Sequence, residues 1–214
     1  MLIFDFFSGT GSSTQAFHDA GHTVITFELD TSFEATEHAN IFNLNATELI
    51  AKYGQPDFVW ASPPCTAFSV ASMGHHWING GENPLPRTES AKISQELVAH
   101  TLKLIKELNP EKGWLMENPR GMLRKLPVVQ GYPRRTVTYC TYNDSRMKPT
   151  DLWGEVPGWT HREPCKNGQG CHEAAPRGSR TGTQGLKGAK DRSRVPYALG
   201  KEILESITGE RNEQ

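Results

Sequence analysis

The chain has 214 residues, with 23 Lys or Arg against 24 Asp or Glu and a formal net charge of -1. This length suits one sizeable core with a small appendage, and the near balance of charge excludes a uniformly basic nucleic-acid binder, so any such contact must come from a local cluster. No apolar run approaches the roughly 20 residues that span a bilayer, and Met1-Leu2-Ile3-Phe4-Asp5 lacks the basic region and cleavage site of a secretory leader. A soluble, cytoplasmic, monomeric protein is expected. Four cysteines, at positions 65, 140, 165 and 171, are too few in a chain this long to form a stapling disulfide framework.

From Met1 to Leu126, short apolar runs alternate with helix-like segments, the pattern of an α/β domain with a largely parallel sheet. Strands are predicted at Leu2 to Phe7, Thr23 to Glu28, Asp57 to Ala61 and Gly113 to Glu117. Helices are predicted at Ser13 to Ala20, Ser32 to Asn40, Ala46 to Lys52 and Ser90 to Leu108. In the last of these, Leu97, Val98, Leu102, Ile105 and Leu108 recur at helical spacing, and Asn109-Pro110 ends the run. Arg135 to Tyr139 and Thr150 to Trp153 read as two further strands that form an antiparallel edge. After Trp153 the chain becomes rich in Gly, Pro, Arg and Lys until Tyr197 to Ile207, which reads as a closing helix. Three parts follow: a main domain at 1–153, a small basic segment at 154–194, and a C-terminal helix at 195–214 that returns to the first. Between Arg162 and Arg194 eight Lys or Arg face three Asp or Glu, a balance that fits a solvated loop as well as a nucleic-acid contact.

The first strand runs into Asp5-Phe6-Phe7-Ser8-Gly9-Thr10-Gly11-Ser12, a glycine turn opening a helix, where backbone can approach a ligand. Glu28 closes the second strand, where an acidic side chain can accept hydrogen bonds from a ribose. The third glycine of dinucleotide sites is missing, which favours a cofactor without a pyrophosphate, such as an adenosyl sulfonium compound. Asp57 to Ala61 ends in Ser62-Pro63-Pro64-Cys65, where two prolines stiffen the turn that presents the thiol. A cysteine is often only a small buried apolar residue, but here it stands between Pro-Pro and the polar run Thr66-Ala67-Phe68-Ser69. Glu117-Asn118-Pro119-Arg120 lies at another strand end, where open α/β sheets bind ligands.

In the order and spacing of these motifs the chain resembles the DNA cytosine-5 methyltransferases, in a reduced form like those of bacteriophages. The matching segments are Asp5 to Gly11, Phe27-Glu28-Leu29-Asp30, Pro64-Cys65 with Phe68-Ser69, and Glu117-Asn118. The resemblance implies a Rossmann-like S-adenosylmethionine-dependent methyltransferase fold, with a mixed, mostly parallel sheet and a small loop-rich insertion. It implies a cofactor site drawn from Asp5, Phe7, Ser8, Gly9, Gly11, Glu28 and Leu29, with Pro64 near the methionine part. Asn45 stands where the family has an Asp that contacts the adenine amine. Ser193-Arg194-Val195-Pro196 resembles the family's last motif and would bring Val195 back to the pocket. Cys65 is the implied nucleophile and Glu117 the group that holds the base, with Asn118 and Ser69 beside them. Where the family has Gln-x-Arg-x-Arg, this chain has Lys148 in the first arginine position and Thr150 in the second, and Thr66 replaces a Gln after the nucleophile.

The implied reaction methylates C5 of a cytosine flipped out of DNA. His75, His76 and Trp77 lie on the segment that closes over the flipped base in the family, or are plain loop surface. The basic segment falls where family members read DNA sequence, and its cations suit phosphate contacts. One family branch methylates transfer RNA with the same motifs, and a silent DNA-binding module would be marked by loss of Cys65 or Glu117. Within the basic segment, His161, Cys165, Cys171 and His172 offer the ligand types of a tetrahedral zinc site. Their spacing is not that of a standard finger; the plainer reading is unligated loop side chains, with zinc as the alternative.

Overall fold

The computed structural model describes residues 1–78, 83–166, 168–174 and 188–209. In chain order the main elements are β1 (Leu2–Phe6), α1 (Gln15–Asp19), β2 (Thr23–Glu28), β3 (Glu37–His38), α2 (Ala46–Tyr53) and β4 (Phe58–Ala61), then α3 (Met73–His76), β5 (Trp77–Ile78) and β6 (Leu85–Pro86). They continue with α4 (Glu89–Leu108), β7 (Trp114–Pro119), β8 (Arg134–Thr138), β9 (Pro149–Glu155), α5 (Ala189–Ser193) and α6 (Tyr197–Thr208).

Seven strands form one sheet in the order β3-β2-β1-β4-β7-β9-β8. The pairs from β3 to β7 are parallel, while β9 runs antiparallel to both β7 and β8. This is the expected mixed sheet with an antiparallel edge, and β5 pairs with β6 in a separate small hairpin.

Alternation along the central strands sorts side chains onto two buried faces. Phe4, Phe6, Val59, Ala61 and Met116 pack with Leu49 of α2 and Leu102 and Ile105 of α4. Ile3, Phe58, Trp60 and Leu115 point the other way, against Phe17 of α1 and Leu199 and Ile203 of α6. At Gly200 an added Cβ would lie 3.0 Å from the Ser13 carbonyl, so a glycine is what lets α6 press against the start of α1. The Thr88 side chain caps α4 by accepting from the Ala91 N–H, and Asn109 ends it in the left-handed conformation at φ 44.

The helix expected at Ser32 to Asn40 is absent. Asp30 Oδ1 instead accepts from the Ser32 N–H at 2.9 Å, and Thr26 and Thr36 exchange side-chain-to-backbone hydrogen bonds at 2.8 and 3.1 Å. These local bonds offer the backbone an alternative to the helical ladder, and the chain runs on into β3. Among the described residues no helix is long and apolar enough to cross a membrane.

Candidate active site

The strand order reverses around β1 and β4, so a crevice opens beyond their carboxyl ends. There the chain leaves β1 through Phe7 at φ 60, Gly9 at φ 49 and Gly11 at φ 70. Such angles are uncommon for a side chain as bulky as that of Phe7, and a Cβ added at either glycine would meet nothing within 4 Å. Glu28 ties this turn to β2: its Oε2 accepts from the Gly9 N–H at 2.9 Å, and its Oε1 from the N–H groups of Leu29 and Asp30 at 2.8 and 3.0 Å. Phe7, Phe27, Glu28, Ile41, Leu44, Pro64 and Leu97 line a cavity of about 220 Å³ beside it. Apolar walls with the acidic residues Glu28 and Asp30 at one side suit an adenosyl group, whose flat ring needs apolar cover and whose ribose needs an acceptor.

Leu29 and Pro64 line this cavity, whereas Asp5, Ser8, Gly9, Gly11, Asn45 and Val195 are not among its lining residues. Asp5 is fully buried; its Oδ2 accepts from the Ser13 and Thr14 hydroxyls at 2.8 and 2.7 Å, so it braces the turn from below. Burial pushes its carboxyl up to about 7, against the hydrogen bonds from Thr14 and Ser13. Asn45 is exposed and is not among the lining residues. Its Oδ1 accepts from the Glu48 N–H at 2.9 Å, so it is the N-cap of α2, and Asn40 lines the cavity instead. Val195 is buried against the opposite core, but its N–H donates to Ser12 Oγ at 3.0 Å, joining the start of α6 to the glycine turn. Ser8 Oγ and Asn118 Oδ1, both buried, have no hydrogen-bond partner among the described residues.

The prolines after β4 place Cys65 at the entrance to a tight turn, with its carbonyl accepting from the N–H groups of Phe68 and Ser69 at 2.9 Å each. Near the end of neighbouring β7, Asn118 Nδ2 donates to the Pro63 carbonyl at 2.8 Å, and beyond that strand the Met122 N–H donates to the Phe68 carbonyl at 2.7 Å. The two strand ends are therefore held together. Glu117 is buried, accepts at Oε1 from the Tyr139 hydroxyl at 2.8 Å, and lies 3.9 Å from Lys148 Nζ. Lys148 Nζ also stands 4.6 Å over the Tyr139 ring, and its backbone takes φ 24. Burial first, and then the charge of Glu117, push the Cys65 thiol up, while Lys148 pulls it down. Burial in turn lowers the Lys148 ammonium, which Glu117 opposes. Thr150 is fully buried with its hydroxyl donating to the Lys148 carbonyl at 3.1 Å; it supports that loop and carries no cation.

Ser69 bonds to the Ser72 hydroxyl at 2.8 Å, inside the turn after Cys65. Trp77 is buried, donates from Nε1 to the Ala67 carbonyl at 2.7 Å and stacks near Phe68, so it anchors its segment and is not offered to a ligand. His161 sits beside Trp159 and is not part of the cluster that joins Cys165, Cys171 and His172 to Cys140. Sequence reasoning missed Cys140 because it lies on a different element, after β8.

Two further residues escaped the sequence. Tyr139 reads as an ordinary end-of-strand aromatic, and only the pairing of β8 beyond β9 brings its hydroxyl to Glu117. Arg146 is buried; it bonds Asp144 and donates to the carbonyls of Asp191, Arg192 and Arg194 at 3.0, 3.1 and 3.0 Å, fastening the approach to α6.

Comparison with known proteins gives the same direction. The family model for C-5 cytosine-specific DNA methylase matches residues 1–127. A relative from Frog virus 3 (isolate Goorha), described as a probable DNA (cytosine-5)-methyltransferase, is 28% identical over 220 residues that cover 96% of this chain and 99% of the relative. The short form is thus shared by a viral protein almost end to end. The solved structure of the Entamoeba histolytica methyltransferase EhMeth superposes with a TM-score of 0.58 at 10% identity, covering 100% of this chain and 99% of that one. At that identity the likeness speaks to the fold, which is a Rossmann-like methyltransferase fold. Since the family match takes in the glycine turn, the Cys65 turn and the Glu117 strand end, the chain belongs to the family of C-5 cytosine-specific DNA methylases.

Proposed function

We propose that the protein transfers a methyl group from S-adenosylmethionine to C5 of cytosine in DNA, with Cys65 as the covalent nucleophile. The observation that carries this reading is the convergence of Cys65, Glu117 and Lys148 at adjoining strand ends, next to a cavity suited to an adenosyl group. The names of the matched family and of the viral relative favour DNA as the substrate.

Cytosine C5 is a poor nucleophile until C6 is attacked. In the proposed reaction the Cys65 thiol gives up its proton to solvent and its sulfur bonds to C6, pushing an electron pair toward N3 and making C5 nucleophilic. Glu117, donating its carboxyl proton to N3 and accepting from the exocyclic amine, meets that charge and selects cytosine over thymine. Tyr139 holds one oxygen of Glu117, leaving the other directed to the base, and Lys148 supplies a buried cation beside both groups. Bound S-adenosylmethionine supplies the electrophilic methyl group. Once C5 carries it, the C5 proton leaves to solvent, the S–C6 bond breaks and the aromatic ring returns. Phe7, Gly9, Glu28, Leu29 and Pro64 would hold the cofactor. The segment at 154–194 would contact DNA, through a local excess of cations; residues 175–187 of it lie outside the described residues.

The test is incubation with tritiated-methyl S-adenosylmethionine and either duplex DNA or transfer RNA, followed by nucleoside digestion and mass analysis. Labelled 5-methylcytosine from DNA supports the proposal. Label found only in RNA transfers the same chemistry to the other nucleic acid, and no label in either from a folded, cofactor-binding protein overturns it.

A further inference from the structure

Residues 161–174 contain one buried side chain among those described, Cys165. A stretch with so little apolar burial has no core of its own to offset the entropy of ordering it. Its fixed points are polar: the Cys165 N–H donates to Thr138 Oγ1 at 2.8 Å, the Arg162 N–H to the Tyr142 hydroxyl at 3.0 Å, and the Glu173 N–H to the Ser145 carbonyl at 2.9 Å. Between them, Gly168 at φ 86 and the mutual bonds of Lys166 and Gln169 bend the chain back. That turn returns Cys171 and His172 to Cys165, directly against Cys140 at the end of β8.

The four side chains present three thiols and one imidazole, with ligand atoms all within 4.8 Å of one another. Cys171 Sγ lies 3.6 Å from Cys140 Sγ and 3.7 Å from His172 Nδ1, and Cys165 Sγ lies 3.4 Å from His172 Nδ1. Zinc bonds of about 2.3 Å to sulfur and 2.0 Å to nitrogen require tetrahedral edges of about 3.8 Å between sulfurs and about 3.5 Å between sulfur and nitrogen. The Cys165 Sγ to Cys171 Sγ contact is 3.0 Å and needs to open by under an ångström, and the other two pairs, Cys140 with Cys165 and with His172, lie within 4.8 Å. All four cysteines of the chain are free thiols. Two of the ligands are buried and two are at the surface, so a metal can enter while solvent is excluded from its inner side.

We propose that Cys140, Cys165, Cys171 and His172 form a structural zinc site that fastens the segment after β9 to the end of β8. Thiolate and imidazole donors in a closed four-ligand set select zinc over the hard cations. The position gives the metal a second consequence. Cys140 adjoins Tyr139, whose hydroxyl holds Glu117, so the cross-link braces both the basic segment and the support of the buried carboxylate.

The experiment is metal analysis by plasma mass spectrometry on the full chain, expressed with added zinc and purified under reductant, beside His172→Ala, Cys171→Ser and His161→Ala. The parent protein and His161→Ala should each retain about one zinc per chain, whereas His172→Ala and Cys171→Ser should lose it or bind it more weakly by over roughly 100-fold, beyond the loss typical of an outer-shell partner. Should Cys171→Ser fail to fold, cobalt titration of the reduced parent protein decides the matter. Thiolate-to-cobalt charge transfer with strong tetrahedral d–d bands supports the site. A reduced parent protein that binds neither zinc nor cobalt overturns it. Loss of zinc from His161→Ala equal to that from His172→Ala overturns the ligand set.

Discussion

The hydroxyl of Tyr139 donates a 2.8 Å hydrogen bond to Oε1 of Glu117, and both side chains are buried. An aromatic residue that closes β8 therefore fixes the orientation of a carboxyl group on β7, two strands away in the sheet. Tyr139→Phe removes the donor without opening a cavity, and leaving a buried acceptor short of a partner costs about 1–3 kcal/mol. Urea unfolding should register that loss. Single-turnover methyl transfer should slow by about tenfold or more, while cofactor affinity should stay unchanged, since Tyr139 does not line the cavity proposed for it. An unaltered transfer rate would reduce the Tyr139 hydroxyl to a packing role.

Cys65→Ser should abolish methyl transfer and leave the dissociation constant for S-adenosylmethionine near that of the parent protein. The thiol lies outside the residues lining the cofactor cavity, whereas the serine hydroxyl ionises far too weakly to add to C6. Retention of turnover in this variant would exclude the covalent route.

Of the cations acting on Cys65, Lys148 has a larger effect than Arg192, and it opposes the upward push of burial and Glu117 on the thiol. Lys148→Met deletes that opposition, so the thiol ionises at higher pH. The acidic limb of the pH–rate profile should move to higher pH, and Lys148→Arg should move it less. Superimposable profiles for all three proteins would detach Lys148 from the ionisation of Cys65.

Asp5 carries a carboxyl whose burial holds it at about 7, above its ordinary value in the unfolded chain. Between those two values the native protein retains a proton that the unfolded chain has released. The resulting contribution to stability is complete below the ordinary carboxylate range and is lost as pH rises through about 7. Asp5→Asn should flatten this part of the pH dependence of the denaturation midpoint. A slope identical to that of the parent protein would mean that Asp5 titrates normally in the native state.

Arg146→Ala strips three backbone carbonyls and Asp144 of their common partner. Breaking a buried pair on one side costs about 3–5 kcal/mol. Since those carbonyls lead directly to Val195, whose N–H meets Ser12, S-adenosylmethionine binding should weaken along with the melting temperature. Calorimetry that finds the cofactor affinity unchanged would uncouple the two regions.

The parts of this fold that could be read from residues are those governed by local periodicity. The β1 and β4 strands are near-continuous apolar runs, as buried parallel strands require, and α4 carries its own apolar stripe, its Thr88 cap and its Asn109 stop. Cys65 could be singled out because it follows such a strand, and Glu117 because it lies near the carboxyl end of one. Ser32 to Asn40 misled because its outcome depends on Thr26, a residue of another element. The resemblance placed Asn45 where the family has an Asp that contacts adenine, but here its Oδ1 caps α2, since a helix cap and a pocket residue share the same chemistry. His161 appeared beside the other metal-binding residue types in sequence, yet the fourth member of the cluster is Cys140, placed there by the path of β8. Such long-range substitutions leave no trace in spacing.

The hydrogen bond between Val195 and Ser12 joins residues 183 positions apart, and with Gly200 pressed on Ser13 it gives the glycine turn a late-arriving wall. During synthesis the ribosome must release β9 and α6 before that wall exists. A nascent chain stalled before Val195 would have the segments that carry Cys65 and Glu117, but a glycine turn without this support. Coupling in time follows from coupling in space: the turn is braced only as the helix far from it in sequence docks beside it.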